Sequence, residues 1–260
     1  MVEQTVGFFT SFFANPSAPG IGLAIAFGAI WLVVYRSPLR SRPWLWVIIA
    51  ISIFLTLAAV SFIQVPLQIL AGQAMGNFWS EEVIMSRILL FGIPQILLSG
   101  LVQEGAKLVP IVLYWRREGR KLDPKMGLMV GAVAGAGFGA FEAQWVHNAV
   151  FASGWSWEAV QTGGLMALVP FGERFFVIAA HTAFSALAGY GLAKGKGWQF
   201  YLIASGLHAL LNYSVVLLVG GIITGIVQLE IYVIAYALSV TGWALWLRWR
   251  KTVVATEPEA

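Results

Sequence analysis

The sequence contains no cysteine among its 260 residues. This absence excludes disulfides, thiolate metal sites and a cysteine nucleophile. Charged residues are also scarce, at 11% of the chain against a hydrophobic content of 59%. Ordinary soluble domains carry about 25% charged residues. Together with a mean hydropathy of +0.79, this composition predicts an integral membrane protein.

Seven apolar runs are long enough to cross about 30 Å of hydrocarbon as helices. They cover residues 19–35, 44–66, 88–114, 126–150, 174–193, 198–219 and 223–247. The first run has no basic residue before it and no small-residue cleavage site after it, so we expect a retained helix. Soluble domains, low-complexity linkers and fixed-period repeats are not evident. We therefore predict an all-α polytopic transmembrane helix bundle of about seven spans, forming one domain over residues 1–260.

The positive residues predict the orientation of this bundle. Thirteen of the 16 Lys and Arg residues follow the first, third, fifth or seventh run, which all end on the same side if there are seven spans. The positive-inside rule makes that side cytoplasmic, so we expect the N-terminus outside and the C-terminus cytoplasmic in a multi-pass protein of the cell membrane. The pI near 9.5 then reflects topology and gives no support for a nucleic-acid partner.

Ionisable side chains within the spans need an explanation, since each costs roughly 2.5 to 3.5 kcal/mol on insertion scales. They are Glu104, Lys107, Glu142, His181, His208 and Glu230. The first five come from four consecutive spans and lie about 15 to 24 Å from the predicted cytoplasmic ends. Glu230 lies near the outer end of its helix and is left out. His147 and Asn148 lie close to the outer end of the fourth span and are interpreted as interfacial.

Helical spacing places further polar residues on the same faces. Glu104 and Lys107 are three residues apart, and His208 and Asn212 are four apart, so each pair shares a helix face. Arg174 and His181 are seven apart. Ser185 follows one turn later, so these stripes predict a common polar interior. The simpler interpretation is a neutralised Glu–Lys pair and histidines that only bond helix to helix.

A ladder of glycines precedes Glu142 in the fourth span. It comprises Gly127, Gly131, Gly135 and Gly139, at intervals of four. Such small-xxx-small patterns let a second helix approach closely, either within one chain or between two copies in a homo-oligomer. Packing alone would explain the ladder. Because it ends beside Glu142, it would also bring neighbouring helices within reach of that carboxylate.

Two histidines and one carboxylate are the ligand set of a catalytic zinc site with an open position for water. A divalent cation would also offset buried carboxylate charge. The residues therefore predict a zinc cofactor. They leave open a metal-free site in which Glu142 or Glu104 activates water directly.

Four motifs on consecutive spans resemble intramembrane proteases related to the type II CAAX-processing enzymes, specifically the PrsW and YhfC branches. The motifs are QEGAK (103–107), FGAFE (138–142), the segment RFFVIAAHTAFSALAGYG around His181, and HALLN (208–212), within a core of about residues 88–219. The resemblance implies a glutamate-dependent, metal-dependent peptidase that opens toward the cytoplasmic half of the membrane. Phe138 to Glu142 is similar to the family's FxxxE or FxxxH motif, and His208 with Asn212 to its HxxxN motif. One departure is Gln103, where the related patterns begin with the first of two adjacent glutamates.

From these residues and the resemblance, we expect Glu142, His181 and His208 to hold zinc and Glu104 to act as general base. Lys107 would orient Glu104, and Asn212 would bond the oxyanion or the scissile carbonyl. The substrate would be a membrane protein or lipid-anchored peptide cut near the cytoplasmic face.

Two other function classes stay open at this point. Buried Glu, His and Lys also form proton relays in transporters, and Pro94 and Pro110 are expected to interrupt the third span. A non-catalytic scaffold with the protease-like fold is the other alternative, which Gln103 supports because glutamine cannot act as a general base.

Overall fold

A computed structural model describes residues 2–250, and within that range the chain is helical with no strand. The all-α prediction is confirmed in this range. A helix satisfies every interior backbone N–H and C=O within its own segment, which is what hydrocarbon requires of a spanning element. The long helices are α2 (Ala18–Val34), α3 (Trp44–Ala59), α4 (Val65–Phe78), α7 (Ile93–Arg117), α8 (Pro124–Ala152), α10 (Val169–Ala193), α11 (Gly197–Val219) and α12 (Ile226–Trp249).

Six helical segments between residues 2 and 250 are long and apolar enough to cross a membrane. They are Trp44–Phe78, Ile88–Arg117, Pro124–Ala152, Trp157–Ala193, Gly197–Val219 and Ile226–Trp249. The first of the seven predicted spans is a helix of 17 residues, Ala18–Val34. At 1.5 Å per residue it is about 26 Å long, slightly less than the hydrocarbon thickness. All seven predicted runs are thus helical, and six meet the length of a span.

The largest boundary error concerns the second predicted span, 44–66. The structure continues it to Phe78 through a π-helical turn at Val60–Gln64, which joins α3 to α4. Pro66 lies in the first turn of α4 and has no N–H to donate, and the wider π turn accommodates its ring. The apolar run stops near residue 66 because glutamines follow, but the helix does not.

The described range also contains short helices, all outside the predicted runs except Ile88–Phe91, which forms the start of the third run. They are α1 (Val2–Ser11), α5 (Glu81–Ser86), α6 (Ile88–Phe91) and α9 (Trp157–Gly163), with a 3-10 segment at Gly164–Leu168. Just beyond α1, the Phe12 ring stacks on Trp145 and Phe141 of α8, at centroid distances of 4.7 and 5.5 Å. The N-terminal segment is therefore folded against the side of the bundle.

The expected interruptions of the third span are only partly present. Pro94 lies in the first turn of α7, where its missing N–H has no helical acceptor anyway. Pro110 lies inside α7, and the helix continues through it to Arg117. The expectation that Pro110 breaks the span was wrong.

The glycine ladder packs α8 against α10 of the same chain. A Cβ added at Gly127, Gly131 or Gly135 would overlap backbone carbonyl oxygens of α10, those of Gly189, Ser185 and His181 respectively. Two backbones in such close contact form the centre of the bundle, and nearly every residue of α10 after Val177 is buried. The ladder therefore fixes the position of His181 relative to α8. Homo-oligomerisation stays a prediction.

His147 and Asn148, interpreted from the sequence as interfacial residues, are buried within the protein near the end of α8. Their side chains are 0% and 2% exposed. His147 Nδ1 lies 3.1 Å from the carbonyl oxygen of Gly20, and Asn148 Oδ1 accepts from the backbone N–H of Ser17 at 3.0 Å. These residues attach the start of α2 to α8, where α2 shields them from the surface.

Candidate active site

Five ionisable residues predicted to share a site do come together between four helices. Glu104 and Lys107 lie on α7, Glu142 on α8, His181 on α10 and His208 on α11. His181 and His208 each lie near the middle of their helices, about 16 to 18 Å from either end. The cluster therefore lies at the centre of the bundle.

Glu104 is the most connected member of the cluster. Its side chain is 0% exposed, and its Oε1 lies 2.5 Å from Lys107 Nζ and 2.8 Å from His208 Nδ1. Ser185 donates its hydroxyl to Glu104 Oε2 at 3.1 Å. A buried carboxylate is stable only when its oxygens are paired and hydrogen-bonded, and both oxygens of Glu104 meet that condition.

His181 lies between Lys107, the ion-pair partner of Glu104, and Glu142. Its Nδ1 lies 2.9 Å from Lys107 Nζ, and its Nε2 lies 3.0 Å from Glu142 Oε2. An ammonium group can only donate, so Nδ1 accepts from Lys107 and the Nε2–H donates to Glu142. The hydrogen bonds on either side of the ring thus define the tautomer of His181.

The donor set suits a metal ion. Glu104, His181 and His208 each offer one ligand atom within 4.8 Å of the others, and all three residues are buried. One carboxylate and two imidazoles match the protein ligands of a catalytic zinc site. Lys107 touches two of these three side chains, so its ammonium competes with a metal cation for the same donors.

Glu142, predicted from the sequence as a metal ligand, has different neighbours from that trio. Besides His181, its Oε2 lies 3.6 Å from Arg174 Nη1, and Arg174 Nη2 donates to Glu173 at 2.6 Å. The side chain of Glu142 is 20% exposed, whereas that of Glu104 is fully buried. Glu104, predicted from the sequence as the general base, takes the place in the donor set that was expected of Glu142.

A cavity of 300 Å³ adjoins the cluster. Its lining includes Glu142, Phe138 and Asn212, while Glu104 and the two histidines are absent from the lining. Asn212 donates to the hydroxyl of Ser99 at 2.6 Å. Phe138, which lines the cavity, has its ring centroid 5.6 Å from Lys107 Nζ, within reach of a cation–π contact, and lies edge-on to His181.

Gln103 lies beside the cluster and takes no part in its contacts. Its Nε2 donates to Gln64 Oε1 at 3.2 Å, and its own Oε1 has no hydrogen-bond partner among residues 2–250. The cavity is also lined by four polar residues that were not predicted from the sequence: Gln64, Gln68, Gln95 and Ser99. The signal was present: Gln64 and Gln68 are four residues apart, and Gln95, Ser99 and Gln103 form an i, i+4, i+8 stripe in an otherwise apolar helix.

The fold and the cluster together define a class: helical, multi-pass membrane proteins with a buried carboxylate and two imidazoles able to hold a metal. Comparison with family models gives the particular family. The model of the PrsW family intramembrane metalloproteases matches residues 40–243, a range that contains every member of the cluster. The chain belongs to that family and is an intramembrane peptidase. No curated protein and no solved structure matches the chain.

Proposed function

We propose that this peptidase is a zinc enzyme that holds the metal on Glu104, His181 and His208 and uses Glu142 as its general base. It hydrolyses a peptide bond in a membrane-embedded or juxtamembrane segment of a membrane protein or lipid-anchored peptide. The observation that carries this proposal is the buried trio of ligand atoms, all within 4.8 Å of one another, beside a cavity that only Glu142 of the two carboxylates reaches.

Membership of a metalloprotease family implies a metal, and the identity of the donors favours zinc. Zinc in hydrolases takes three protein ligands from histidine and carboxylate and keeps one position open. When bound, it would polarise the scissile carbonyl and lower the pKa of a coordinated water to about 7. The ring of His181 presents its Nδ1 lone pair toward Lys107, and Glu142 accepts from its Nε2–H. This carboxylate–histidine contact orients metal ligands in many zinc sites.

Glu142 is the better candidate for the general base because a base must reach the reacting water. Glu142 lines the cavity and is partly exposed, while Glu104 is fully buried with both oxygens bonded. Arg174 Nη1 lies 3.6 Å from Glu142 Oε2 and can hold that carboxylate in place. Glu142 would take the proton from water and deliver it to the leaving amine. This assignment exchanges the roles expected from the sequence.

Two other side chains would support the reaction. Asn212 lines the cavity with an amide that can donate to the scissile carbonyl as negative charge develops there. Lys107 positions Glu104 through their ion pair and, in the metal-bound state, would have to leave the shared donors. Ser185 holds the second oxygen of Glu104.

The cavity suggests the side from which a substrate enters. Glu142 lies about 27 Å along α8 from Pro124, the end next to the basic loop, but only about 15 Å from Ala152. The remaining lining extends toward Gln95 at the start of α7 and toward Phe8 of α1. With the N-terminus outside and the C-terminus cytoplasmic, as the basic residues predict, the cavity faces the outer half of the membrane. We propose cleavage near mid-membrane with entry from that half, in place of the cytoplasmic-side site expected from the resemblance.

Further elements of the proposal rest on the sequence. The motifs of residues 103–107, 138–142 and 208–212 support descent within the superfamily of type II CAAX-processing proteases. The hydropathy and the distribution of basic residues support a single seven-span domain in the cell membrane, with α2 as a short span tilted little from the normal.

Elemental analysis of the purified protein tests the metal site directly. Wild type reconstituted with zinc and then dialysed should retain close to one zinc per chain. The double variant His181→Ala, His208→Ala should retain none while keeping wild-type helix content and gel-filtration behaviour. A wild-type protein that folds but retains no zinc would overturn the zinc site. Cleavage is then tested in liposomes with a panel of single-span peptides, with products identified by mass spectrometry.

A further inference from the structure

One wall of the cavity is built from glutamine side chains. Gln64 and Gln68 come from the second span on either side of the end of the π turn, and Gln95 and Gln103 come from α7. All four lie in segments long and apolar enough to cross the membrane. Burying an uncharged amide in a membrane-spanning segment is unfavourable unless the amide is hydrogen-bonded. Four such amides in one cavity wall therefore suggest that they bind something.

The four glutamines are bonded to one another, but incompletely. Gln68 and Gln95 exchange reciprocal bonds, each side-chain amide donating to the other's backbone carbonyl, at 2.8 and 3.1 Å. Gln64 donates weakly to Gln68 at 3.4 Å and accepts from Gln103 at 3.2 Å. Gln103 is 5% exposed, and its Oε1 has no partner in the described part of the chain. The chain of bonds therefore ends at an acceptor without a donor, on a residue that lines the same cavity as Glu142.

The chemistry of intramembrane proteolysis supplies a ligand for such a surface. A peptide bond in a helix is shielded by its own turn, so the substrate must be locally extended before a base and a metal can reach its carbonyl. Unwinding frees backbone N–H and C=O groups, which in hydrocarbon must find partners within the protein. A glutamine side chain carries two donors and one acceptor oxygen without charge, so it can pair with either backbone group.

We propose that Gln64, Gln68, Gln95 and Gln103 form a subsite that binds the unwound backbone of the substrate next to the scissile bond. This proposal rests on the proposed function, since it assumes the same cavity as the reaction site. Gln103 Oε1 would accept from a substrate N–H, and the cavity volume of 300 Å³ limits the bound stretch to a few residues. The enzyme would then prefer substrates whose helix unwinds easily in the middle.

The preference can be measured as binding, without catalysis. Two synthetic peptides are compared: a lysine-flanked, all-leucine transmembrane segment, and the same segment with Gly-Gly at its centre. Each carries a fluorophore and is titrated against the full-length protein in nanodiscs, in a Glu142→Gln background that prevents turnover. The subsite predicts about tenfold tighter binding of the Gly-Gly peptide, equivalent to one or two net hydrogen bonds.

The test variant is Gln64→Leu, Gln103→Leu. Replacing both partners of a bonded pair with apolar groups of similar size leaves stability nearly unchanged, so the variant should fold. Gln73→Leu is the matched control, because Gln73 is exposed and lies on α4 with Gln68. The tenfold preference should disappear in the double variant and persist in the control. A preference that survives in the double variant, or that is absent from the Glu142→Gln protein, overturns the subsite.

The proposed function can fail separately from this subsite. If zinc-loaded wild type binds the Gly-Gly peptide preferentially but never cleaves it, the result supports the subsite and contradicts the proposed zinc-dependent hydrolysis. If wild type and the double variant cleave both peptides equally well, the result supports the proposed hydrolysis and contradicts the subsite.

Discussion

Glu142 and Lys107 contact opposite nitrogens of the same imidazole, that of His181, at 3.0 and 2.9 Å. The ring separates two carboxylates with different surroundings. Glu104 lies on the Lys107 side, fully buried, and Glu142 lies on the other side, at the cavity. This division is the physical basis for assigning metal binding to Glu104 and proton transfer to Glu142.

Substitution of each carboxylate by its amide separates the two roles. Glu142→Gln should retain about one zinc per chain but lose cleavage by at least about 100-fold, the usual contribution of a general base. Glu104→Gln should lose zinc itself, because an amide is a poor ligand in place of an anion. Elemental analysis and peptide cleavage are measured on the same preparations. The reverse result, with zinc lost only in Glu142→Gln, would restore the assignment expected from the sequence.

Lys107→Met should destabilise the zinc-free protein. The substitution leaves the buried carboxylate of Glu104 without its cation, a loss of about 3 to 5 kcal/mol for buried pairs. A bound zinc ion would supply the missing charge, so the drop in apparent melting temperature should be large in chelator and much smaller with zinc. Lys194→Met, at an exposed position, is the control. An equal drop in both conditions would mean that Lys107 and the metal do not share donors.

Gly131→Ala should separate α8 from α10. Its Cβ would overlap the carbonyl oxygen of Ser185, and overpacking of this kind costs about 1 to 3 kcal/mol. Because α10 carries His181, zinc retention should fall together with thermal stability. Gly206→Ala is the matched control, since a Cβ there meets nothing within 4 Å. Unchanged zinc content and melting temperature in Gly131→Ala would contradict the close packing.

The absence of cysteine from the sequence allows a clean test of orientation. Lys121→Cys and Ser156→Cys each introduce one thiol, at exposed positions in loops at opposite ends of α8. In intact cells, a membrane-impermeant maleimide should label the thiol at 156 and should reach that at 121 only after lysis. Labelling in the opposite pattern would show that the orientation is the reverse of the predicted one, and the cavity would then face the cytoplasmic half of the membrane.

Much of the fold follows from local composition. Each apolar run is helical in the structure because a segment in hydrocarbon can satisfy its backbone only internally. Helix ends were harder to predict: the second span continues to Phe78 because glutamines end the hydropathy signal without ending the helix. The burial of His147 was missed for a related reason, since distance along a helix does not reveal that α2 covers it.

The sequence by itself determined which residues are available for chemistry. A hydrophobic chain carries few charges, and these lie on four consecutive spans at intervals that place each pair on one helix face. Only the tertiary structure shows that Glu104 offers a ligand atom close to those of both histidines, while Glu142 contacts His181 and lines the cavity. Helical periodicity fixes the face on which a side chain lies, but the rotation and depth of each helix depend on contacts with its neighbours. Here those contacts are made by the glycines of α8 against the backbone of α10, and they turn His181 between Glu104 and Glu142.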